Sequence, residues 1–552
     1  MKVIICGINS KYIHSSLAIW YLASGIDKYA HGIEYAVVEG TINESCSEIL
    51  NRMNIKDGDT IAFSTYIWNK NLVFEIARRA KEIYDVKIVL GGPEVSYNQE
   101  DVMAKNQFVD YILSGEGEKS LAMLCCGEDI SNIEGLSYRD GGKIIIKEAC
   151  VSFDDPPSPY SKEYFERLNG RIAYIETSRG CPYKCGFCLS GRCEGVRFFD
   201  LEESKKRILL LSNSGTKVVK FIDRTFNANK KRAVDIIEFI SKNYGKSIPN
   251  NVRFHFEIEG EIIDDCLVEA LAKSPKGAFQ VEIGVQSFNV QTLKSVNRKT
   301  NIDKLVRNIR RVIELGNVHV HVDLIVGLPY EGMESFKLSF NQAYKLKANM
   351  LQIGFLKVLH GTKLEEEAGK YFIVNSNTPP YEIVSNAWLT EKEIEFLKEF
   401  ERIFERLYNS GRFVETLKYL ETQFDDSFEM YKNLTLFMSG VSEKASLDEF
   451  TKAVYEYFSS FDEINRDLLR DKIVIDRLAS IRMGCIPSFL KKTCSELKRI
   501  MISLDENQET RRKLGIKRKA AALCSENRIV YVDYDIADPI TGRYEVNFVD
   551  MK

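Results

Sequence analysis

Residues 177–193 read TSRGCPYKCGFCLSGRC, and the cysteines in this stretch decide how the rest of the chain is read. Cys181, Cys185 and Cys188 stand at the spacing C-x3-C-x2-C. Three thiolates on one short loop can hold three irons of a cubane [4Fe–4S] cluster and leave the fourth iron without a protein ligand. That open iron can chelate a small molecule through an amine and a carboxylate. Phe187 directly precedes the third cysteine, where its ring can pack against the chelated molecule. Thirteen cysteines scattered at random over 552 residues would produce this spacing only about 0.01 times. A zinc site is the competing reading, and it wants a fourth ligand. Cys193 is near enough to supply one, although C-x3-C-x2-C-x4-C is not a usual zinc spacing.

The cysteine triad follows a strand-like run from Ile172 to Thr177 and carries an aromatic before its last member. In this it resembles the cluster loop of the radical S-adenosylmethionine (SAM) superfamily. That resemblance implies a [4Fe–4S] cluster, SAM bound at the open iron, and a partial (β/α)6 barrel around them.

Composition sets wide bounds. A length of 552 residues suggests about three domains. Hydrophobic residues at 44% and charged residues at 28% suit a water-exposed globular chain. A formal charge of −3 gives no general attraction to nucleic acid or anionic membrane. No apolar run reaches the ~18 residues that span a bilayer. The opening MKVIICGINSKY reads as a first strand, because its apolar run is too short for a signal peptide. A reducing, cytoplasmic setting is expected, with no disulfides and no membrane partner.

Residues 1–150 alternate strand and helix. Strands are expected at Val3–Cys6, Glu34–Val38, Thr60–Ser64, Lys87–Leu90 and Val109–Leu113. Helices are expected at Leu17–Ala23 and Leu72–Tyr84, the latter with Leu72, Ile76, Ala80 and Ile83 on one face. Such alternation implies a doubly wound, Rossmann-like parallel sheet. Its ligands bind beyond the carboxyl ends of the strands, where Gly91-Gly92-Pro93 and Gly115-Glu116-Gly117-Glu118 stand. The phrases NSKYIHSSLAIWYLA, FSTYIWN, LGGPEVS and SGEGEKSL occur in that order. Together they resemble the amino-terminal cobalamin-binding domain of one radical SAM branch. By that resemblance Ser64, Trp68, Gly91, Gly92, Gly115 and Glu116 contact cobalamin. The Asp-x-His-x-x-Gly that ligates cobalt in other cobalamin proteins is absent; His14 and His31 lack that context. Core packing of Phe63, Tyr66 and Trp68 is the plainer alternative for that loop.

Residues 151–170 read as a linker, because VSFDDPPSPY places three prolines in ten positions. Residues 171–375 read as the partial barrel. Its strands are expected at Ile172–Thr177, Val218–Ile222, Arg253–Ile258, Phe279–Val285, His319–Val326 and Met350–Val358. VEIGVQS, DLIVGLP and LKVLHGTKL resemble barrel segments of radical SAM enzymes, which makes Glu257 and Gln286 contacts to SAM. Asp223-Arg224-Thr225 stands where many relatives carry Gly-Gly-Glu, so the contact to the SAM amine stays open. For His319 and His321, alternate positions on a strand favour packing over ligation.

Residues 376–552 are expected to be mostly helical and to end in a β-hairpin near Arg528–Tyr534 and Arg543–Phe548. Thr390-x-x-Glu393 is a capping box opening a helix that should end near Gly411. The run Arg511–Lys519 holds six cations in nine residues, either a solvated face or a contact to phosphate or tRNA.

The combined resemblance implies a cobalamin-dependent radical SAM enzyme. It would generate a 5′-deoxyadenosyl radical from SAM and functionalise an unactivated C–H bond. Methyl transfer, rearrangement and cyclisation all remain open, as does the substrate, with a small molecule favoured over tRNA. A reductant such as flavodoxin or ferredoxin would be a partner. One rival is a tRNA methylthiotransferase, whose second cluster would need a third cysteine beside Cys6 and Cys46; none appears before Cys125. The other rival is a non-catalytic cobalamin-binding protein.

Overall fold

The structure is a computed structural model and describes residues 2–152, 154–482, 485–492, 497 and 517–551. The chain divides into two compact units. The first comprises Met1–Val281, Leu293–Thr300 and Phe355–Ala387; the second comprises Glu282–Thr292, Asn301–Gly354 and Trp388–Lys552.

The first unit begins with β1 (Val3–Asn9), β2 (Tyr35–Thr41), β3 (Thr60–Ser64), β4 (Lys87–Gly91) and β5 (Tyr111–Leu113). Each of the first four pairs in parallel with its neighbours in the sheet. All seven residues of β1 and all five of β3 are buried, because helices cover both faces of a doubly wound sheet. Helices Leu17–Tyr29, Cys46–Met53, Lys70–Ile83, Gln99–Lys105 and Gly117–Cys125 alternate with the strands. On one face Ile4, Cys6, Ile61, Phe63, Ile88 and Leu90 meet Val73, Ile76, Ala77 and Ala80. Each such large side chain contributes about 1.5–3 kcal/mol when removed from water. Ser45 and Glu48 form a capping box that fixes the start of the second helix.

The sheet runs further than its sequence suggests. Two antiparallel strands, β6 (Leu136–Asp140) and β7 (Lys143–Ile146), extend it to the order β2-β1-β3-β4-β5-β6-β7. Gly141 and Gly142 turn between them at φ +53° and +82°, a conformation that favours glycine. The order reverses between β1 and β3, which is where an open α/β sheet leaves a crevice for a ligand.

The second sheet consists of β8 (Ala173–Ile175), β11 (Val218–Phe221), β12 (Arg253–Ile258), β13 (Phe279–Gln286), β14 (His319–Val326) and β15 (Met350–Phe355). Its order is β15-β14-β13-β12-β11-β8, and β8, β11 and β12 pair in parallel. The six expected barrel strands are these six. Between β8 and β11 lie two short antiparallel strands, β9 (Ser178–Cys181) and β10 (Gly195–Phe198). Among its described residues, the proline-bearing stretch before β8 forms no strand, and it gives way to the helix Lys162–Leu168.

In the second unit, the expected capping box at Thr390 and Glu393 opens the helix Glu391–Phe404. A π turn at Glu405–Asn409 and Gly411 at φ +64° end it. Helices Val414–Leu420, Ser427–Phe437, Leu447–Phe458 and Arg466–Ser480 follow. Their core is aromatic: Phe340, Phe400, Phe404 and Tyr431 meet edge to face at 5.0–6.1 Å. The carboxyl-terminal hairpin is part of a three-stranded sheet. The short pair β16 (Val374–Asn375) and β17 (Ile383–Ser385) belongs to the first unit, and β18 (Arg518–Ala522), β19 (Arg528–Ala537) and β20 (Tyr544–Asp550) form the carboxyl-terminal sheet in that order. Of the basic run, residues 511–516 lie outside the described residues, and Arg518 and Lys519 stand in β18.

One buried acid in this unit sets a pH dependence. Burial pushes the Glu331 carboxyl up to about 7, against the hydroxyls of Ser287 and Ser339, which both donate to Oε1 at 2.7 Å. Its ordinary value is 4.5, so the folded chain holds this proton more tightly than the unfolded chain. The stabilisation is complete below pH 4.5 and is lost as pH rises through 7. Glu331→Gln is expected to flatten this part of the profile, amounting to about 3 kcal/mol between pH 5 and 8. Thermal midpoints of both proteins at the two pH values check it; parallel declines would reject it.

Candidate functional site

A cavity of about 670 Å3 opens in the first unit beyond the carboxyl ends of β1, β3, β4 and β5. One wall is built by the loops after those strands. After β3, the rings of Tyr66 and Trp68 stack at 4.5 Å with planes 5° apart. Trp68 Nε1 donates to the Ile8 carbonyl at 3.0 Å. Asn69 Nδ2 donates to the carbonyls of Ile8 and Ser64, each at 3.0 Å, and its Oδ1 accepts from Tyr66 N at 2.7 Å. These bonds hold a flat aromatic surface in place while 45% of Trp68 stays exposed.

The glycines beside it permit close backbone contact. Gly92 sits at φ +103°, and a Cβ there would lie 2.5 Å from the Thr65 carbonyl oxygen. Gly115 sits at φ +86°, and its Cβ would lie 2.1 Å from the Cys150 carbonyl oxygen. Cys150 brackets that loop: its N–H donates to Ser114 O at 3.0 Å and its carbonyl accepts from Glu116 N at 2.8 Å.

The facing wall comes from the second sheet and the β9–β10 pair: Tyr174 and Glu176 around the end of β8, Arg179 on β9, Arg224 after β11 and Glu257 on β12. Arg179 is ringed by carboxylates. Its Nε meets both oxygens of Glu176 at 3.0 Å, Nη1 donates to Glu116 at 2.5 Å and Nη2 donates to Glu118 at 2.6 Å. Arg197 on β10 donates to the same Glu116 oxygen at 2.8 Å. Burial pushes the Glu176 carboxyl up to about 7, with Arg179 opposing.

The cysteine loop connects β9 to β10. Cys181 and Cys185 are buried, and Cys188, Phe187 and Cys193 are half-buried. The loop is fixed at several points. Gly186 N donates to Val296 O and its carbonyl accepts from Leu364 N, both at 2.8 Å. Asn297 Nδ2 donates to Lys184 O at 2.9 Å. Asp223 fixes the chain leading into the loop. Its carboxylate accepts from Thr177 N at 3.1 Å, from Thr177 Oγ1 at 2.8 Å and from Ser178 Oγ. Asp223, at the strand end where the sequence lacks Gly-Gly-Glu, is buried and holds the β8–β9 turn.

A tetrahedral zinc with bonds of about 2.3 Å brings its sulfurs within about 3.8 Å of one another. Among the described residues, no three His, Cys, Asp or Glu ligand atoms at this loop lie within 4.8 Å of one another. Thiolate charge also has compensation. Arg298 Nη1 stands 3.8 Å from Cys185 Sγ, and Thr225 Oγ1 stands 3.4 Å from Cys181 Sγ. Tyr97, which lines the cavity, lies within electrostatic reach of Cys188 and Cys193.

Of the residues singled out from sequence, Ser64, Trp68, Gly91, Gly92, Gly115, Glu116 and Glu257 line the cavity. Gln286 ends β13 at φ +70° and belongs to the second unit. Tyr97, Glu176 and Arg179 also line the cavity and were not singled out from the sequence. Arg179 could have been found, because a cation two residues before the first cysteine sits on the strand that delivers the loop. In the second unit, His321 Nε2 lies 3.1 Å from Asp323 Oδ1, and Glu282 converges on them. His319, His321 and Asp323 alternate along β14 and so share one face of it.

Comparison with known proteins matches three consecutive stretches. Residues 3–124 match the B12 binding domain, residues 175–343 the radical SAM superfamily, and residues 369–538 a protein of unknown function, DUF4080. An uncharacterized methyltransferase of Pyrococcus horikoshii is 26% identical over 368 residues, 64% of this chain and 78% of that protein. The cobalamin-dependent radical SAM methyltransferase TokK of Streptomyces tokunonensis is 27% identical over 306 residues, 51% of this chain and only 44% of that protein. The solved structure of the cobalamin-dependent SAM radical enzyme OxsB, with aqua-cobalamin and SAM bound, superposes with a TM-score of 0.61 at 14% identity. It covers 93% of this chain and 81% of that one, and at that identity the likeness is one of fold.

Proposed function

We propose that this chain, a radical SAM enzyme with an amino-terminal B12 binding domain and a carboxyl-terminal DUF4080 region, functionalises an unactivated carbon of a small molecule, with methyl transfer as the reaction. The domains it carries imply a [4Fe–4S] cluster, SAM and cobalamin as cofactors. When bound, these supply one-electron cleavage of SAM to a carbon radical and transfer of a methyl group; the protein supplies position and exclusion of water.

Cys181, Cys185 and Cys188 would hold three irons. Arg298 and Thr225 would offset the charge on two of those sulfurs, and Phe187 would pack against SAM. Glu257 would contact SAM; Gln286, given the same role by the resemblance, stands in the second unit. Ser64, Trp68, Gly91, Gly92, Gly115 and Glu116 would receive cobalamin, with the Tyr66–Trp68 stack offering a flat apolar surface to the macrocycle. Residues 1–150 would act as the cobalamin domain, 151–170 as a linker, 171–375 as the SAM barrel and 376–552 as an extension. A one-electron donor such as flavodoxin or ferredoxin would supply reducing equivalents. Among the described residues no helix is long and apolar enough to cross a membrane.

The observation that carries this reading is the cavity itself. Its walls join the glycine loops of the first sheet to Glu176 and Arg179, the residues leading into the cysteine loop. Methyl transfer rests on the two methyltransferase relatives.

Anaerobic protein, reconstituted with iron and sulfide and titrated with hydroxocobalamin, tests the reading. About four irons per chain with cobalamin absorption bands are expected, and SAM plus reductant should yield 5′-deoxyadenosine. S-adenosylhomocysteine formed alongside supports methyl transfer; its absence favours rearrangement or cyclisation. About eight irons would point to a two-cluster methylthiotransferase. Bound cobalamin without 5′-deoxyadenosine over many hours would leave a binding protein.

A further inference from the structure

We infer that Arg179 is a positioning residue that mechanically joins the loop carrying Glu116 to the strand carrying Cys181, so that cobalamin occupancy is felt at the cluster. This rests on the cofactor assignment above. The guanidinium uses all three of its nitrogens on three carboxylates: Nε on Glu176, Nη1 on Glu116 and Nη2 on Glu118. Its planar fork makes that possible, and a lysine ammonium would not reproduce it. The Tyr21 ring lies 5.1 Å from the guanidinium and confines it on one side.

Both ends of this link are stiff. On the cobalamin side, Gly115 is pressed against Cys150, and the Glu116 amide is hydrogen-bonded to the Cys150 carbonyl. Glu116 is also held by Arg197, which pairs in register with Arg179 across β9 and β10. On the cluster side, a Cβ on Gly180 would lie 2.2 Å from the Gly195 carbonyl oxygen, so the two strands pack without slack. Arg179, Gly180 and Cys181 are consecutive residues of that strand. A displacement of the Ser114–Glu118 loop therefore passes to Cys181 through packed, ion-paired atoms, which is a physical route for coupling.

Coupling between two binding sites is reciprocal and is worth about five- to 150-fold in affinity when present. The test uses the reconstituted full chain, with hydroxocobalamin as the titrant and EPR of the dithionite-reduced cluster as the second readout. In the wild type, cobalamin should alter the cluster's EPR line shape. Arg179→Lys should keep about four irons, bind hydroxocobalamin about tenfold more weakly, and show a line shape indifferent to cobalamin. Glu116→Gln removes one prong and should lie between the two; it decides the matter if Arg179→Lys fails to fold. An Arg179→Lys or, in that case, Glu116→Gln protein matching wild type in both affinity and line shape would overturn the inference alone. A wild type that takes up no cobalamin would overturn the cofactor assignment as well.

Discussion

Cys181→Ala, Cys185→Ala and Cys188→Ala, made singly, are each expected to drop bound iron from about four per chain to less than one. Formation of 5′-deoxyadenosine should cease with it. The expectation follows from the loop's geometry. The thiols occupy one turn-rich connection between β9 and β10, and two of them are buried beside an arginine or a hydroxyl. Cys193→Ala is the contrasting variant. It should retain iron and 5′-deoxyadenosine formation, since Cys193 closes no compact ligand set. Equal loss of iron in Cys193→Ala would reject the three-ligand arrangement.

The second large effect is expected at Gly115. A methyl group there would sit 2.1 Å from the Cys150 carbonyl oxygen and 2.7 Å from its nitrogen. Both are backbone atoms and cannot rotate aside. The positive φ of 86° adds backbone strain for any residue with a Cβ. Gly115→Ala should therefore cost about 3 kcal/mol or more and displace Glu116 from both arginines. Urea unfolding followed by circular dichroism reads the first effect, and hydroxocobalamin titration reads the second. Gly127→Ala is the control, because nothing lies within 4 Å of its Cβ position; its own positive φ of 74° exposes it to strain alone. Equal loss in the two variants would show that contact with Cys150 is unimportant.

How far the sequence was legible depended on whether the signal was local. The five parallel strands of the first sheet appear as short apolar runs, since both faces are covered and no alternation is needed. The six barrel strands and the Thr390–Glu393 cap declare themselves in the same local way. The β6–β7 hairpin escaped notice because Leu136–Asp140 mixes polar residues with apolar ones, although Asp140-Gly141-Gly142-Lys143 is turn chemistry. The strand Arg518–Ala522 is masked by the cations around it, which read first as a solvated run. The carboxylate cage around Arg179 could not be read at all. Its members lie at positions 116, 118, 176, 179 and 197, and no spacing in the chain announces that they meet. Asp223 illustrates a subtler failure. A charged residue at a strand end looks solvent-facing, yet two hydroxyls and an amide satisfy it inside the protein.

The rungs between Cys150 and the Ser114–Glu116 segment have a bearing on synthesis and on dissection of the gene product. A nascent chain paused at residue 124 has already emitted every parallel strand of the first sheet, yet the Ser114 carbonyl still lacks its donor and the Glu116 amide its acceptor. The backbone pairing of this segment is complete only in a chain that includes Cys150. An excised fragment meant to retain the vitamin should accordingly extend beyond that cysteine.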